Sequence, residues 1–166
     1  MADDRSPVQV KFLVLGTGHE YQRYQRDNDA HRDQIRHKFG TTICEIIESE
    51  RIELVAEEAG NDAAVADLLT AQGFPQGPVE PIAKQLSLNR CRHIDIRPPG
   101  DHGTDEDYEQ RMLSLIIAEV REATSILVIV GEDHRMSVAQ RLSEKGFKTE
   151  SCQFLQPNEN NEDQDG

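Results

Sequence analysis

The chain has 166 residues, with 18 Lys and Arg against 31 Asp and Glu, and its formal net charge is -13. This charge argues against broad binding to nucleic acid, because the phosphate backbone attracts Lys and Arg. Apolar residues make up 36% of the chain, which suffices for one modest core, and no stretch is apolar for long enough to predict a membrane span.

Both ends of the chain read as short polar tails. Residues 156–166 contain four acids and no base, and almost no apolar side chain, so we predict that they are disordered and acidic. Residues 1–7 are predicted to form a similar disordered tail. Between them, residues 8–155 have the length of one domain, which we predict to be a single α/β domain.

The predicted location is cytoplasmic. The N-terminus lacks a basic region followed by an apolar run, so no secretory signal is indicated. The three cysteines, Cys44, Cys91 and Cys152, are widely spaced and form no CxxC pair, which is typical of free, buried thiols in a reducing compartment.

Strand and helix patterns alternate along the chain. Strands are predicted at 8–15, 51–56, 91–97, 125–130 and 147–155. Helices are predicted around the apolar stripe from Ile35 to Ile46, and at 63–72, 81–88, 106–123 and 136–145. Near-continuous apolar strands separated by helices predict a three-layer α/β fold with a mostly parallel five-stranded sheet. The expected strand order is 3-2-1-4-5, with the two most apolar strands, one and four, in the centre.

Polar motifs follow three of the predicted strands. Strand one is followed by Gly16-Thr17-Gly18-His19, strand two by Glu57-Glu58, and strand four by Gly131-Glu132-Asp133-His134. The glycine lets the backbone turn sharply, and a residue three positions later can point back over the strand end. Since parallel sheets bind ligands at the carboxyl ends of their central strands, we expect His19 and His134 on neighbouring loops, close to the two acids.

This order of motifs resembles the TraB, PrgY and Tiki superfamily, of which erythromycin esterases and ChaN-like proteins are more distant relatives. The resemblance covers the first two strand exits and about 45 residues from Arg111 onwards, through SILVIVGEDH to LSEKGFKTE. The chain is similar to a minimal member without the usual helical insertions, and its second motif is unusually acidic. Tiki-like members are described as divalent-metal-dependent proteases, the esterases as hydrolases that use His and Glu, and ChaN-like proteins bind haem.

The resemblance implies a site built from His19, Glu57 or Glu58, and His134. Two imidazoles and a carboxylate suit Zn, Mn, Co or Fe and leave positions for water, which becomes a nucleophile near neutral pH. We therefore expect a metal-dependent hydrolase with His19, Glu58 and His134 as ligands, acting on a small molecule or a peptide. The second glutamate is a candidate general base or holds a histidine tautomer. Arg111 is a candidate for binding an anionic substrate or a developing oxyanion.

Other interpretations of the same residues stay open. His134 is also suited to capping the helix that follows it, and the paired acids are suited to starting a helical segment. The segment Gly16 to Gly18 resembles half of a dinucleotide fingerprint, but the third glycine is missing. Asp95, near the end of strand three, is expected to be exposed or locally hydrogen-bonded.

Two functions of other classes compete with hydrolysis. One is a non-catalytic module that binds a small anionic ligand in the same crevice. The other is an interaction protein whose acidic tail recruits a basic partner. The oligomeric state is not indicated by any pattern in the chain.

Overall fold

A computed structural model describes residues 9–18, 21–22, 30–59, 81–98, 103–120 and 123–154. In chain order the described elements are β1 (Lys11–Thr17), α1 (Ala30–Ser49), β2 (Leu54–Glu57), α2 (Ile82–Ser87), β3 (Arg92–Asp95), α3 (Asp105–Ala118), β4 (Ser125–Gly131), α4 (Glu132–Glu144) and β5 (Lys148–Gln153). The two predicted tails and the predicted helix at 63–72 lie outside the described residues. No helix in the described ranges is long and apolar enough to cross a membrane.

The five strands form one parallel sheet in the order β3-β2-β4-β1-β5, which confirms the predicted α/β fold class. The predicted order of 3-2-1-4-5 is corrected at its centre, where β1 and β4 have exchanged places. Both orders bury the two most apolar strands in the middle of the sheet, so their hydrophobicity does not distinguish them. In the observed order, the connections from β1 to β2, from β3 to β4 and from β4 to β5 each pass over one strand.

Side chains alternate between the two faces of the sheet and form two cores, which gives the three layers. On one face, Phe12, Val14, Ile126 and Val128 pack in the same cluster as Met112 of α3 and Leu142 of α4. On the other face, Leu15, Leu127 and Ile129 pack in the same cluster as Phe39 and Ile43 of α1 and Ile82 of α2. Each face of the sheet therefore packs against its own helical layer, and the carboxyl ends of the strands lie between the two layers.

The first turn of α4 lies against β1 at Gly16. A Cβ atom on Gly16 would lie 1.9 Å from Glu132 Oε2 and 2.9 Å from Arg135 Cδ. The other oxygen of Glu132 accepts hydrogen bonds from Arg135 Nε at 2.8 Å and from Gln153 Nε2 at 2.7 Å. The missing side chain at Gly16 thus makes room for a carboxylate that joins α4 to β5.

We expect Gly16→Ala to lower the free energy of unfolding by about 1 kcal/mol, the lower end of overpacking costs, because the obstructing atom ends a flexible side chain. The added methyl group would displace the Glu132 carboxylate from its partners. In a Glu132→Ala background the same change should be nearly neutral. Urea denaturation of the four proteins measures this coupling, and an equal loss in both backgrounds would contradict the explanation.

Candidate functional site

Two buried carboxylates lie at the carboxyl end of β2. Glu57 is the last residue of the strand and is 0% exposed, and Glu58 follows it at 3%. Glu58 N donates a hydrogen bond of 2.8 Å to Ile129 O, which extends the pairing of β2 with β4 by one residue. Because buried charges are costly unless they are hydrogen-bonded, the partners of these two carboxylates define the site.

Glu58 faces the layer of α3 and α4. Its Oε1 accepts a hydrogen bond of 2.8 Å from Gly131 N, where β4 ends, and its Oε2 accepts one from the Tyr108 hydroxyl of α3. Burial raises the pKa of Tyr108 far above its ordinary value, and the negative charge of Glu58 and their hydrogen bond raise it further. Tyr108 therefore keeps its proton at neutral pH and stays a donor to Glu58.

His134 lies between Glu58 and a third acid. Its Nε2 is 4.0 Å from Glu58 Oε2, its Nδ1 is 2.9 Å from Glu109 Oε1, and its ring lies 5.2 Å from the Tyr108 ring. The residue is in the first turn of α4 and not on a loop, which corrects the expected position. Apolar periodicity placed the start of this helix at Met136, but its first turn is polar and begins at the acidic Glu132.

Glu109 holds His134 in place from α3. It also accepts a hydrogen bond from the Ser137 hydroxyl, and its Oε2 lies 3.4 Å from Arg141 Nε. Burial alone would raise the pKa of Glu109, but the hydrogen bonds from Ser137 and His134 and the nearby positive charge outweigh burial and lower it. An ionised Glu109 accepts a hydrogen bond from Nδ1–H of His134, and this bond orients the ring so that Nε2 faces Glu58.

Glu57 faces the opposite layer, since successive residues of a strand point to opposite faces. Its Oε1 lies 2.7 Å from His93 Nε2 of β3, and its Oε2 accepts a hydrogen bond of 2.9 Å from the buried Gln22 Nε2. Gln22 Nε2 also lies 3.2 Å from the backbone oxygen of Glu58. Glu57 is therefore enclosed by partners that tie β2 to β3 and to the segment after β1.

The structure brings part of the predicted site together. Glu58 and His134 face each other, and Glu57 lies beside them but on the other face of the sheet. Arg111 is exposed on α3, and no described contact joins it to Glu58 or His134. His19 lies outside the described residues. In the described ranges there is no group of three His, Cys, Asp or Glu side chains that could hold a metal ion.

Sequence reasoning missed the residues that bond to Glu57, Glu58 and His134. These partners are Gln22, His93, Tyr108 and Glu109. A signal existed for Glu109, because it precedes the buried Leu113 and Ile116 at helical spacing, and an acid on an apolar stripe is unusual. Asp95 is locally hydrogen-bonded as expected: its Oδ1 accepts bonds from Arg97 N at 2.9 Å and from Ala59 N at 3.4 Å.

No protein-family model matches the chain, and no curated protein matches it in sequence. The resemblance to the TraB, PrgY and Tiki superfamily therefore stays a prediction.

Proposed function

We propose that the protein is a metal-dependent hydrolase with its reaction centre between Glu58 and His134. The observation that carries this proposal is the gap of 4.0 Å between His134 Nε2 and Glu58 Oε2. The gap is too long for a hydrogen bond. It is close to the spacing of two ligands of one ion, because metal bonds of about 2.1 Å place tetrahedral ligand atoms about 3.4 Å apart, so the two side chains would approach by about 0.6 Å on binding.

The surroundings of His134 support the same conclusion. Histidines that bind metals usually donate their other ring proton to a carboxylate, as His134 does to Glu109 at 2.9 Å. Glu58 and Glu109 supply negative charge that favours a divalent cation such as Zn, Mn, Co or Fe. For a third ligand we propose His19, because β1 ends at Thr17, which pairs with Gly131 just before His134.

Each described side chain then has one task. A bound divalent ion would supply an acidified water near neutral pH. Glu58 and His134 would hold the ion, and Gly131 N–H and the Tyr108 hydroxyl orient the Glu58 carboxylate. Glu109 orients His134. Glu57 faces away towards His93, so we assign it to supporting β2 and not to proton transfer.

A second candidate is a non-catalytic module that binds a small ligand in the same crevice. It is favoured by the hydrogen bonds that both oxygens of Glu58 already accept within the protein, from Gly131 and Tyr108. The cytoplasmic location is also a proposal, supported by the three free, half-buried cysteines. The acidic tail that would recruit a basic partner lies outside the described residues.

Titration of Mn²⁺ and Zn²⁺ by calorimetry tests the metal site. We expect His134→Ala and His19→Ala to weaken binding by roughly 10-fold or more. His37→Ala changes an exposed histidine of α1 and should bind the ion as the wild type does. Affinity should fall as the pH is lowered, because an imidazole must be neutral to bind a metal.

Circular dichroism of each variant confirms folding before the affinities are compared. Equal binding by all four proteins, or binding by none, would end the metal proposal. The loaded wild type is then offered ester and peptide probes. Turnover that falls with metal affinity in the histidine variants supports the hydrolase, and metal binding without turnover of any probe favours the binding module.

A further inference from the structure

An arginine lies at the same edge of the sheet as the proposed reaction centre. Ile96 N donates a hydrogen bond of 2.9 Å to Glu57 O, and Arg97 N donates one of 2.9 Å to Asp95 Oδ1. The same Asp95 oxygen also accepts the bond from Ala59 N. The chain segments after β2 and β3 are therefore tied together, because the backbone amides of Ala59 and Arg97 share one Asp95 oxygen.

The charge of Arg97 reaches the reaction centre. Burial, followed by the negative charge of Glu58, raises the pKa of Tyr108, and the positive charge of Arg97 opposes this rise. Because such an effect falls off with distance, the charge of Arg97 is close enough to Tyr108 to act on it. Without the positive charge of Arg97, the carboxylates of Glu58 and Asp95 would repel an approaching anion.

The guanidinium of Arg97 has an unsatisfied donor. Its Nε is buried and has no hydrogen-bond partner in the part of the chain that the structure describes. By contrast, Arg135 pairs with Glu132 and Arg141 pairs with Glu109. A buried donor without a partner is destabilising, so proteins rarely keep one that serves no purpose.

We propose that Arg97 binds an anionic group of the substrate, and that the substrate is therefore a small acid carrying a carboxylate or phosphate. The planar fork of a guanidinium matches both groups with two parallel hydrogen bonds. The bond to be hydrolysed would lie between this anion and the reaction centre at Glu58 and His134. The proposal rests on the proposed function for the identity of the reaction centre, and it gives Arg97 the role predicted for Arg111.

Calorimetric titration of succinate and of inorganic phosphate into the full chain tests the proposal. Arg97→Gln should lower the affinity for the more tightly bound anion by roughly 10- to 100-fold, the usual effect of losing a charge-assisted hydrogen bond. Arg97→Lys should bind with intermediate affinity, because it keeps the charge and loses the fork. Arg111→Gln removes the same charge from an exposed position and should leave the affinity unchanged. The stronger of the two anions identifies the chemical group.

Several outcomes would overturn the proposal: neither anion binds the wild type, Arg97→Gln binds as tightly as the wild type, or Arg111→Gln loses as much affinity. If circular dichroism shows that Arg97→Gln does not fold, the anion affinities of Arg97→Lys and Arg111→Gln are compared instead. A lower affinity for Arg97→Lys alone supports the proposal. Metal titration of the same proteins separates the two proposals. If the protein binds the anion through Arg97 but binds no metal, the anion-binding role of Arg97 is supported and only the metal-dependent hydrolase is contradicted.

Discussion

Glu57→Ala is expected to lower the free energy of unfolding by about 3–5 kcal/mol, because it removes the acceptor of buried donors at about 1–3 kcal/mol each and leaves a cavity. The carboxylate is 0% exposed and bonds to His93 and Gln22. Its loss would leave the His93 imidazole without this acceptor, remove one acceptor of the Gln22 amide and open a cavity beside β3. The expected fall in melting temperature is on the order of 10 °C for a chain of this size.

Thermal and urea denaturation measure the effect. Glu45→Ala is the matched control, since it removes an exposed glutamate of α1 and should change stability by at most about 0.5 kcal/mol. The double variant Glu57→Ala with His93→Ala should lose less than the sum of the single variants, because part of the cost is the unpaired His93. A loss under 1 kcal/mol for Glu57→Ala would mean that this carboxylate does not support the fold.

Phe12→Ala should also cost about 3–5 kcal/mol, as truncations of buried aromatic residues do. Phe12 is in β1, next to Ile126 of β4 and Thr149 of β5. It is 0% exposed, and its ring packs edge-on against Phe147 with the centroids 5.2 Å apart. Truncation would therefore leave a cavity at the centre of the sheet, under α3 and α4.

The control for Phe12 is Leu115→Ala on α3, where the leucine is 40% exposed and little apolar area would be lost. Urea denaturation should give a loss below about 1 kcal/mol for this control. Similar losses for the two variants would contradict the placement of β1 in the middle of the sheet. Metal and anion titrations of Phe12→Ala below its melting temperature show whether the site depends on the stability of the core.

The candidate site depends on how β2 ends. Successive residues of a strand face opposite layers, so Glu57 and Glu58 meet different partners although they are adjacent in the sequence. Glu57 binds His93 and Gln22, whereas Glu58 binds Tyr108 and Gly131. The sequence motif predicted that both acids lie at this edge, but it left open which of them faces His134.

Local patterns also misplaced one boundary that affects the site. The apolar stripe of α4 begins late, so the sequence predicts a loop at His134, whereas the helix begins at Glu132 directly after β4. This position in the first helical turn directs the imidazole towards Glu58 and Glu109. Arg111 was predicted to act in the site, but its side chain is on the exposed side of α3.

The sequence by itself determined the α/β class, the parallel sheet, the pair of central strands and the edge at which the acids and His134 gather. These features follow from apolar runs that must be buried on both faces and from polar residues at strand ends. Only the tertiary structure decided the order of β1 and β4 and the partners of each acid. Glu58 and its partner Gly131 are 73 residues apart in the sequence, and Glu57 and its partner His93 are 36 residues apart. Such contacts depend on strand register and on the rotation of each helix, which are set by packing between segments that are far apart in the chain.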